Sequence, residues 1–521
     1  MERRTRFSWW GAGLVVLLLI ALLLRLRGLT TKSITVDEFG MLEGAIGVLK
    51  WGFPYVKIGH IYMRLTTYEL VPYPIALFWG LFGFHTWAAR LPAVLMGVAT
   101  TGLIYRVGSK LFDRATGFFA AFLYAFAPLS IQWSRYAFHP SQDQLFAFLT
   151  VYLFYRGAIE SSELKPGYLY GSLATFAVAY LSWEGLGLLL PIFLLSLFLF
   201  RSQDWSWMKS GPLWILALGA TVVVFVEMCG RFTAVPWYIL LGDEMRWSKA
   251  PTTAFLHTYN DWWFPWRNFF WAQDRAIPTC LAFFGIPLIK RDKPLAYLYL
   301  IVVCFALELV FFEETLITHY VYCLFPFLIL IACRTVTVYL SKIGELLSGG
   351  AVVDRVIKYA FAACALLLVF ITSNNSALFL YRLAPPAGDE PYQDRMHYEW
   401  VDFKEADGYL LGKGAADTLV TATGVYLELF HNYDDLTWVM TSPMKQELYD
   451  TQDVPPRLLV RLSNAKVLTT IPQLQDFLST PRPVYIGTRA VWETPDVQQF
   501  LENWSNPIYH TYGCDIYQAG R

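Results

Sequence analysis

The sequence predicts a polytopic α-helical membrane protein, with about eleven transmembrane helices followed by a C-terminal extracytoplasmic α/β domain. Three observations predict it. Of the 521 residues, 56% are hydrophobic and only 16% charged, whereas soluble chains run near 45–50% apolar and about 25% charged. The apolar residues fall in blocks such as 14–24, 185–200 and 212–226, approaching the roughly 20 residues that a helix needs to cross a bilayer core. From Tyr381 onward the chain turns polar. It carries short β-like runs at 418–421, 467–469 and 483–486, separated by helical patterns at 471–478 and 495–504, as in a small α/β domain.

Arg3, Arg4 and Arg6 flank the first apolar run and place the N-terminus inside. No small-residue cleavage site follows, so this run reads as an uncleaved first helix rather than a signal peptide. The spans expected after 9–26 are 87–110, 117–133, 141–158, 168–183, 185–200, 212–230, 276–289, 295–311, 318–333 and 356–378. This threading puts Arg106, Lys110 and Arg114, then Arg156 and Lys165, Arg201 and Lys209, Lys290, Arg291 and Lys293, and Arg334 and Lys342 on the inner side. Segment 70–84 is read as interfacial, because Pro72 and Pro74 break it. The expected organisation is a membrane domain over 1–380, with external loops 30–86 and 231–275, and a soluble domain over 381–521. The chain would be multi-pass in the plasma (inner) membrane, with its N-terminus cytoplasmic and its C-terminal domain outside.

Charge and cysteine usage exclude several classes. The tail has 11 Lys and Arg against 19 Asp and Glu, a net −8, and the first 380 residues carry the balancing +8. Neither value suggests a nucleic-acid partner. Cys514 stands alone in the tail, so no intradomain disulfide framework exists there. No CxxC pattern suggests zinc, and no Gly-rich phosphate loop lies on the inner side to bind a nucleotide.

The predicted outer side gathers the acidic residues Asp37, Glu38, Glu43, Glu69, Asp143, Glu184, Asp243, Glu244, Asp261, Asp274, Glu313 and Glu314, with His60, His139, His257 and His319. Charged groups at membrane depth are costly and mark a polar cavity. The adjacent carboxylates Asp37 and Glu38 suit proton abstraction from a hydroxyl by one while the other orients it or holds a cation. The same pair also fits a helix cap, with Thr35 or Asp37 at the N-cap and Glu38 in the first turn. Arg135, in the run Trp133-Ser134-Arg135-Tyr136, suits phosphate contact or simple snorkelling. His319 and Tyr320 mark the mouth of a span. The run Asn260-Asp261-Trp262-Trp263-Phe264-Pro265-Trp266-Arg267 fits an aromatic belt or a grip on a sugar or lipid.

In order, these pieces resemble the glycosyltransferase-C superfamily, and within it the protein O-mannosyltransferase and lipid A aminoarabinose transferase group. The resemblance runs from Asp37 to about Pro326. Its best stretch is Leu81-Phe82-Gly83-Phe84-His85-Thr86-Trp87-Ala88-Ala89-Arg90-Leu91-Pro92, similar to the family's "FG…AARLP". Leu111-Phe112-Asp113-Arg114-Ala115-Thr116-Gly117, Ala127-Pro128, Ser134-Arg135, Tyr152-Leu153-Phe154 and His319-Tyr320 with Pro326 follow. The resemblance implies a polyprenyl (undecaprenyl or dolichyl) phosphate sugar donor and inverting transfer to an acceptor on a protein, lipid or glycan. Asp37 matches the family's catalytic or metal-associated Asp, and Glu38 its neighbour. Arg135, His139, Arg267, His319, Tyr320 and Arg64 are candidates for binding the donor phosphate, and Glu43 and Glu69 are further acidic candidates. A divalent metal ion is a candidate helper, on Glu38 or Asp143. Two departures stand out. Pro140 occupies the place where relatives carry an acid, with Asp143 the nearest carboxylate, and Tyr68-Glu69-Leu70-Val71-Pro72 lacks the relatives' basic residue, leaving Arg64 or Lys57 to serve. The alternatives are oligosaccharyltransferase-like glycan transfer, whose Trp-Trp-Asp signature is absent, and a lipid or sugar transporter.

Overall fold

The computed structural model describes residues 9–30, 34–58, 61–64, 68–234, 262–271, 275–312, 318–347, 403–413, 419–421, 437–439, 466–468, 470–479, 484–488, 495–511 and 514–519. The expected span 356–378 lies outside the described residues, as do His60, Asp243, Glu244, His257, Asp261, Asp274, Glu313 and Glu314. So do the side chains of Asp37, Lys57 and Arg64.

The chain opens with α1 (Trp9–Leu26) and α2 (Val36–Trp51), then a hairpin of β1 (Tyr55–Ile58) and β2 (Ile61–Arg64). Next come α3 (Pro72–Phe82), α4 (Thr86–Leu111), α5 (Arg114–Phe126), α6 (Pro128–Trp133), α7 (Pro140–Phe154), α8 (Pro166–Ser182), α9 (Leu189–Phe200) and α10 (Gly211–Ala234). After the described turn Pro265–Phe270 follow α11 (Ala276–Gly285), α12 (Lys293–Phe312), α13 (Thr318–Tyr322) and α14 (Phe325–Leu347). Among the described residues, five helices are long and apolar enough to cross a membrane: α1, α4, and most of α10, α12 and α14. Other expected spans are divided. Pro128 separates α5 from α6, and α14 restarts at Phe325-Pro326 after the short α13, because proline has no N–H to continue the ladder. The 11-residue α3 extends only about 17 Å at 1.5 Å per residue, short of a bilayer core.

Apolar side chains face outward as well as inward. Leu194, Leu199, Trp214, Leu218 and Phe225 are exposed on α9 and α10, while Arg25, Arg90 and Arg275 are buried. Small residues bring helices together. A Cβ on Gly108 would lie 2.6 Å from the Cα of Gly117, and one on Gly117 would lie 2.5 Å from the carbonyl oxygen of Tyr105. The backbones of α4 and α5 therefore touch at this crossing, as small residues permit inside membranes. Gly117→Ala should cost about 1–3 kcal/mol, since overpacking here must push two backbones apart. Thermal unfolding in detergent checks this against Gly167→Ala, where an added Cβ meets nothing within 4 Å. Equal melting of the two variants would refute the tight crossing.

The described C-terminal elements are α15 (Phe403–Gly412), α16 (Ile471–Leu478), α17 (Pro495–Trp504) and six strands. The strands are β3 (Leu419–Thr421), β4 (Thr437–Val439), β5 (Lys466–Leu468), β6 (Val484–Thr488), β7 (Tyr509–Thr511) and β8 (Cys514–Ala519). They form one sheet in the order β5-β4-β3-β6-β8-β7. It is parallel from β5 to β6, and β8 runs antiparallel to both β6 and β7. Leu474, Leu478, Val497 and Leu501 from the amphipathic α16 and α17 pack with Val484, Ile486 and Tyr517 of the sheet.

Candidate functional site

The site begins at the N-terminus of α2. Thr35 is the N-cap: its hydroxyl accepts from the Glu38 backbone N–H, and the Glu38 carboxylate accepts from the Thr35 N–H at 3.0 Å, completing a capping box. Glu38 is buried and does more than cap. Arg90 of α4 donates to it through Nε at 2.7 Å and Nη2 at 2.8 Å, a bidentate pair. The backbone N–H of Ala137 donates to Oε1 at 2.7 Å. Arg90 also donates to the carbonyl of Leu29 at 2.7 Å. One carboxylate thus ties α2, α4, the end of α1 and the turn 134–139 together. Of the two sequence readings of Glu38, the cap is the one seen here. Each of its oxygens accepts two hydrogen bonds. Asp37 is the second residue of α2, so this clamp holds its backbone in place.

Two residues beyond Ala137, His139 immediately precedes α7 and its Nδ1 pairs with Asp143 one turn on. Both are buried. The rings of Tyr68 and His139 stack at 4.6 Å. His319 of α13 lies 5.1 Å from the His139 ring and 5.2 Å from Trp133, and Tyr320 stacks on Trp183 at 4.7 Å. Phe138 closes the group, 5.4 Å from both Tyr68 and His319. The fold therefore brings together three motifs that are far apart in sequence: the start of α2, the run 133–143 and the pair His319-Tyr320. Glu69, next to Tyr68, is buried, and Glu43 follows Glu38 further along α2, also buried. Below the cluster, the Tyr124 hydroxyl meets the Tyr322 hydroxyl at 3.0 Å and bonds to Gln144, whose amide donates to the Tyr322 carbonyl at 2.6 Å. This network fixes α13 against α7.

Other candidates sit elsewhere. Arg135 donates through Nη2 to the Gly28 carbonyl, bracing the end of α1. Arg267 is exposed, on the π-helical turn Pro265–Phe270 that packs beside α13. Arg64 ends β2. Among the described residues, no group of three or more His, Cys, Asp or Glu is placed to hold a metal ion. Asp143 is engaged by His139.

Sequence reasoning did not single out Arg90, Tyr68 or Trp183 as site residues. Arg90 did carry a signal, a charge inside an otherwise apolar span. Arg25 carried the same signal. It donates to the carbonyls of Ala21 (3.1 Å) and Ala125 (3.2 Å) and to Ser130 Oγ (2.9 Å), which makes it an internal brace.

Residues 70–228 match the family model for dolichyl-phosphate-mannose-protein mannosyltransferase. Among solved structures, the chain is similar to ArnT from Cupriavidus metallidurans bound to undecaprenyl phosphate, with a TM-score of 0.61 and 12% identity over 99% of this chain and 98% of that one. The apo state of the same protein gives 0.61 and 14% identity over 98% of each chain. The chain has the glycosyltransferase-C fold. A more distant example of the glycosyltransferase-C fold is the oligosaccharyltransferase of Archaeoglobus fulgidus, with a TM-score of 0.53 and 12% identity over 97% of this chain and 74% of that one. Comparison with curated proteins gives no match. The α2 clamp and the aromatic–histidine cluster both lie within this glycosyltransferase-C framework.

Proposed function

We infer that the protein is an inverting membrane glycosyltransferase that moves a sugar from a polyprenyl phosphate carrier to an acceptor hydroxyl on the outer side of the membrane. The observation that carries this reading is the convergence of the α2 start, the His139–Asp143 pair and His319-Tyr320, in a fold also seen with undecaprenyl phosphate bound. Asp37 takes the proton of the acceptor hydroxyl as its oxygen attacks the anomeric carbon. The bond from that carbon to the phosphate oxygen breaks on the opposite face, which inverts the centre. The charge growing on the lipid phosphate is met by donors from His139, His319 and Tyr320, with Arg135, Arg267 and Arg64 as further cations for the donor phosphate. Glu69 and Glu43 are the remaining acidic candidates for the acceptor side. No step here passes through a metal ion. The reading retains about eleven spans, the N-terminus inside and the segment 381–521 outside as a soluble domain.

Labelled polyprenyl phosphate sugars, presented to the purified protein in liposomes with a membrane extract, test the reading. It expects label to move to an acceptor with inverted anomeric configuration. Retained configuration, or transport of the donor across the bilayer without transfer, would overturn it, the latter in favour of a transporter. Movement of a whole preassembled glycan onto asparagine would favour the oligosaccharyltransferase reading, which the likeness to the Archaeoglobus enzyme keeps in view.

A further inference from the structure

Within this site the pair His139–Asp143 has an organisation that phosphate binding alone does not require. His139 and Asp143 are 0% and 2% exposed. Nδ1 faces Oδ2 one helical turn away, while Nε2 of His139 and Oδ1 of Asp143 make no hydrogen bond among the described residues. A buried polar atom left without a partner costs about 1–3 kcal/mol and calls for an explanation. Around it stand rings from separate segments: Tyr68 before α3, Phe138, Trp183 after α8, and His319 and Tyr320 of α13. Placement at the N-terminus of the 15-residue α7 adds the favourable end of a helix dipole for an anion.

Proton counting shows what the pair can do. With one proton the pair is negative, the proton sits between Nδ1 and Oδ2, and Nε2 is bare. With two protons it is neutral overall, and Nε2 carries a hydrogen whichever partner holds the shared proton. A net charge buried among rings is expensive, so the neutral form with Nε2–H is favoured at rest. Moving the shared proton from Oδ2 to Nδ1 then turns the imidazole into an imidazolium without changing the proton count.

We propose that His139 and Asp143 form a proton switch facing the lipid phosphate, in which Asp143 is a positioning residue that hands its proton to His139 Nδ1 as the phosphate gains charge. The proposal rests on the transferase reading and deepens it. The acceptor oxygen bonds to the anomeric carbon, and the carbon–phosphate-oxygen bond gives its electron pair to the phosphate. The acceptor's proton goes to Asp37, and the lipid phosphate leaves as a dianion. The Nε2–H donates to that dianion while the shared proton crosses to Nδ1. Positive charge thus appears on the imidazole only when the second phosphate charge does, while the His139–Asp143 pair stays net neutral throughout.

Undecaprenyl phosphate is the probe, with undecaprenol as the uncharged control, measured on the full chain in nanodiscs. Wild type should bind the phosphate, and Asp143→Asn and His139→Gln should each weaken it by about tenfold or more, leaving undecaprenol binding unchanged. Asp143→Glu should recover part of the loss. In 15N spectra the His139 resonances, assigned by their absence in His139→Gln, should become imidazolium-like on adding undecaprenyl phosphate to wild type and not to Asp143→Asn. Equal phosphate affinity in wild type and variants would overturn the switch while leaving the transferase reading intact. A parallel loss of undecaprenol binding would reduce the pair to packing and overturn it too. Failure of wild type to bind undecaprenyl phosphate would overturn the transferase reading itself.

Discussion

Asp37→Asn should reduce sugar transfer by about 10²- to 10⁴-fold, the usual contribution of a positioned general base. The substitution keeps shape and removes the proton acceptor, so KM for the donor and the melting temperature should stay near wild type while kcat falls. The structural basis is the clamp one residue away. Glu38 is held by Arg90, Thr35 and Ala137, so the backbone carrying Asp37 is fixed by interactions that Asp37→Asn does not touch. That separates chemistry from folding, which is rarely possible with adjacent carboxylates. Labelled-sugar transfer with saturating donor, paired with thermal unfolding, measures both. Transfer undiminished in Asp37→Asn would remove Asp37 from the mechanism and pass the base to Asp143 or Glu69.

The neighbouring residue should behave in the opposite way. Glu38→Ala should destabilise the membrane domain by about 3–5 kcal/mol, because it strands a buried guanidinium. Arg90 is 1% exposed, and its bond to the Leu29 carbonyl and its place 5.8 Å from the Tyr136 ring centre supply no negative charge to replace the carboxylate. Arg90→Ala should be similarly severe, leaving Glu38 as an unpaired buried carboxylate. The double variant Glu38→Ala with Arg90→Ala should be less damaging than the two single losses added, since removing both charges removes both desolvation penalties. Reversible unfolding of the four proteins in one detergent gives the coupling. A stable but inactive Glu38→Ala would return Glu38 to the chemistry, and additive losses would show that the pair is not a unit.

The membrane character, the segments that become α1, α4 and α12, and the elements 471–478 and 495–504 were legible because hydropathy and period are local properties. Resemblance in the order of short motifs was also legible, and the fold agrees with it. Sequence could also locate the candidates Asp37, His139, Asp143, His319 and Tyr320, because polar residues beside apolar spans are visible one at a time. What it could not decide was which of them meet. Glu38 fits a catalytic partner and a cap equally well until Arg90, 52 residues later, is seen to close on it. Arg135 looks like an interfacial charge until Gly28 is seen to accept from it. The spans at 117–133 and 318–333 looked continuous until Pro128 and the break before Phe325 were placed in three dimensions. A residue's type and its neighbours along the chain fix the cost of burying its charge. Only the tertiary structure decides which distant donor offsets that cost, and so whether a buried charge serves as a brace or belongs to the site.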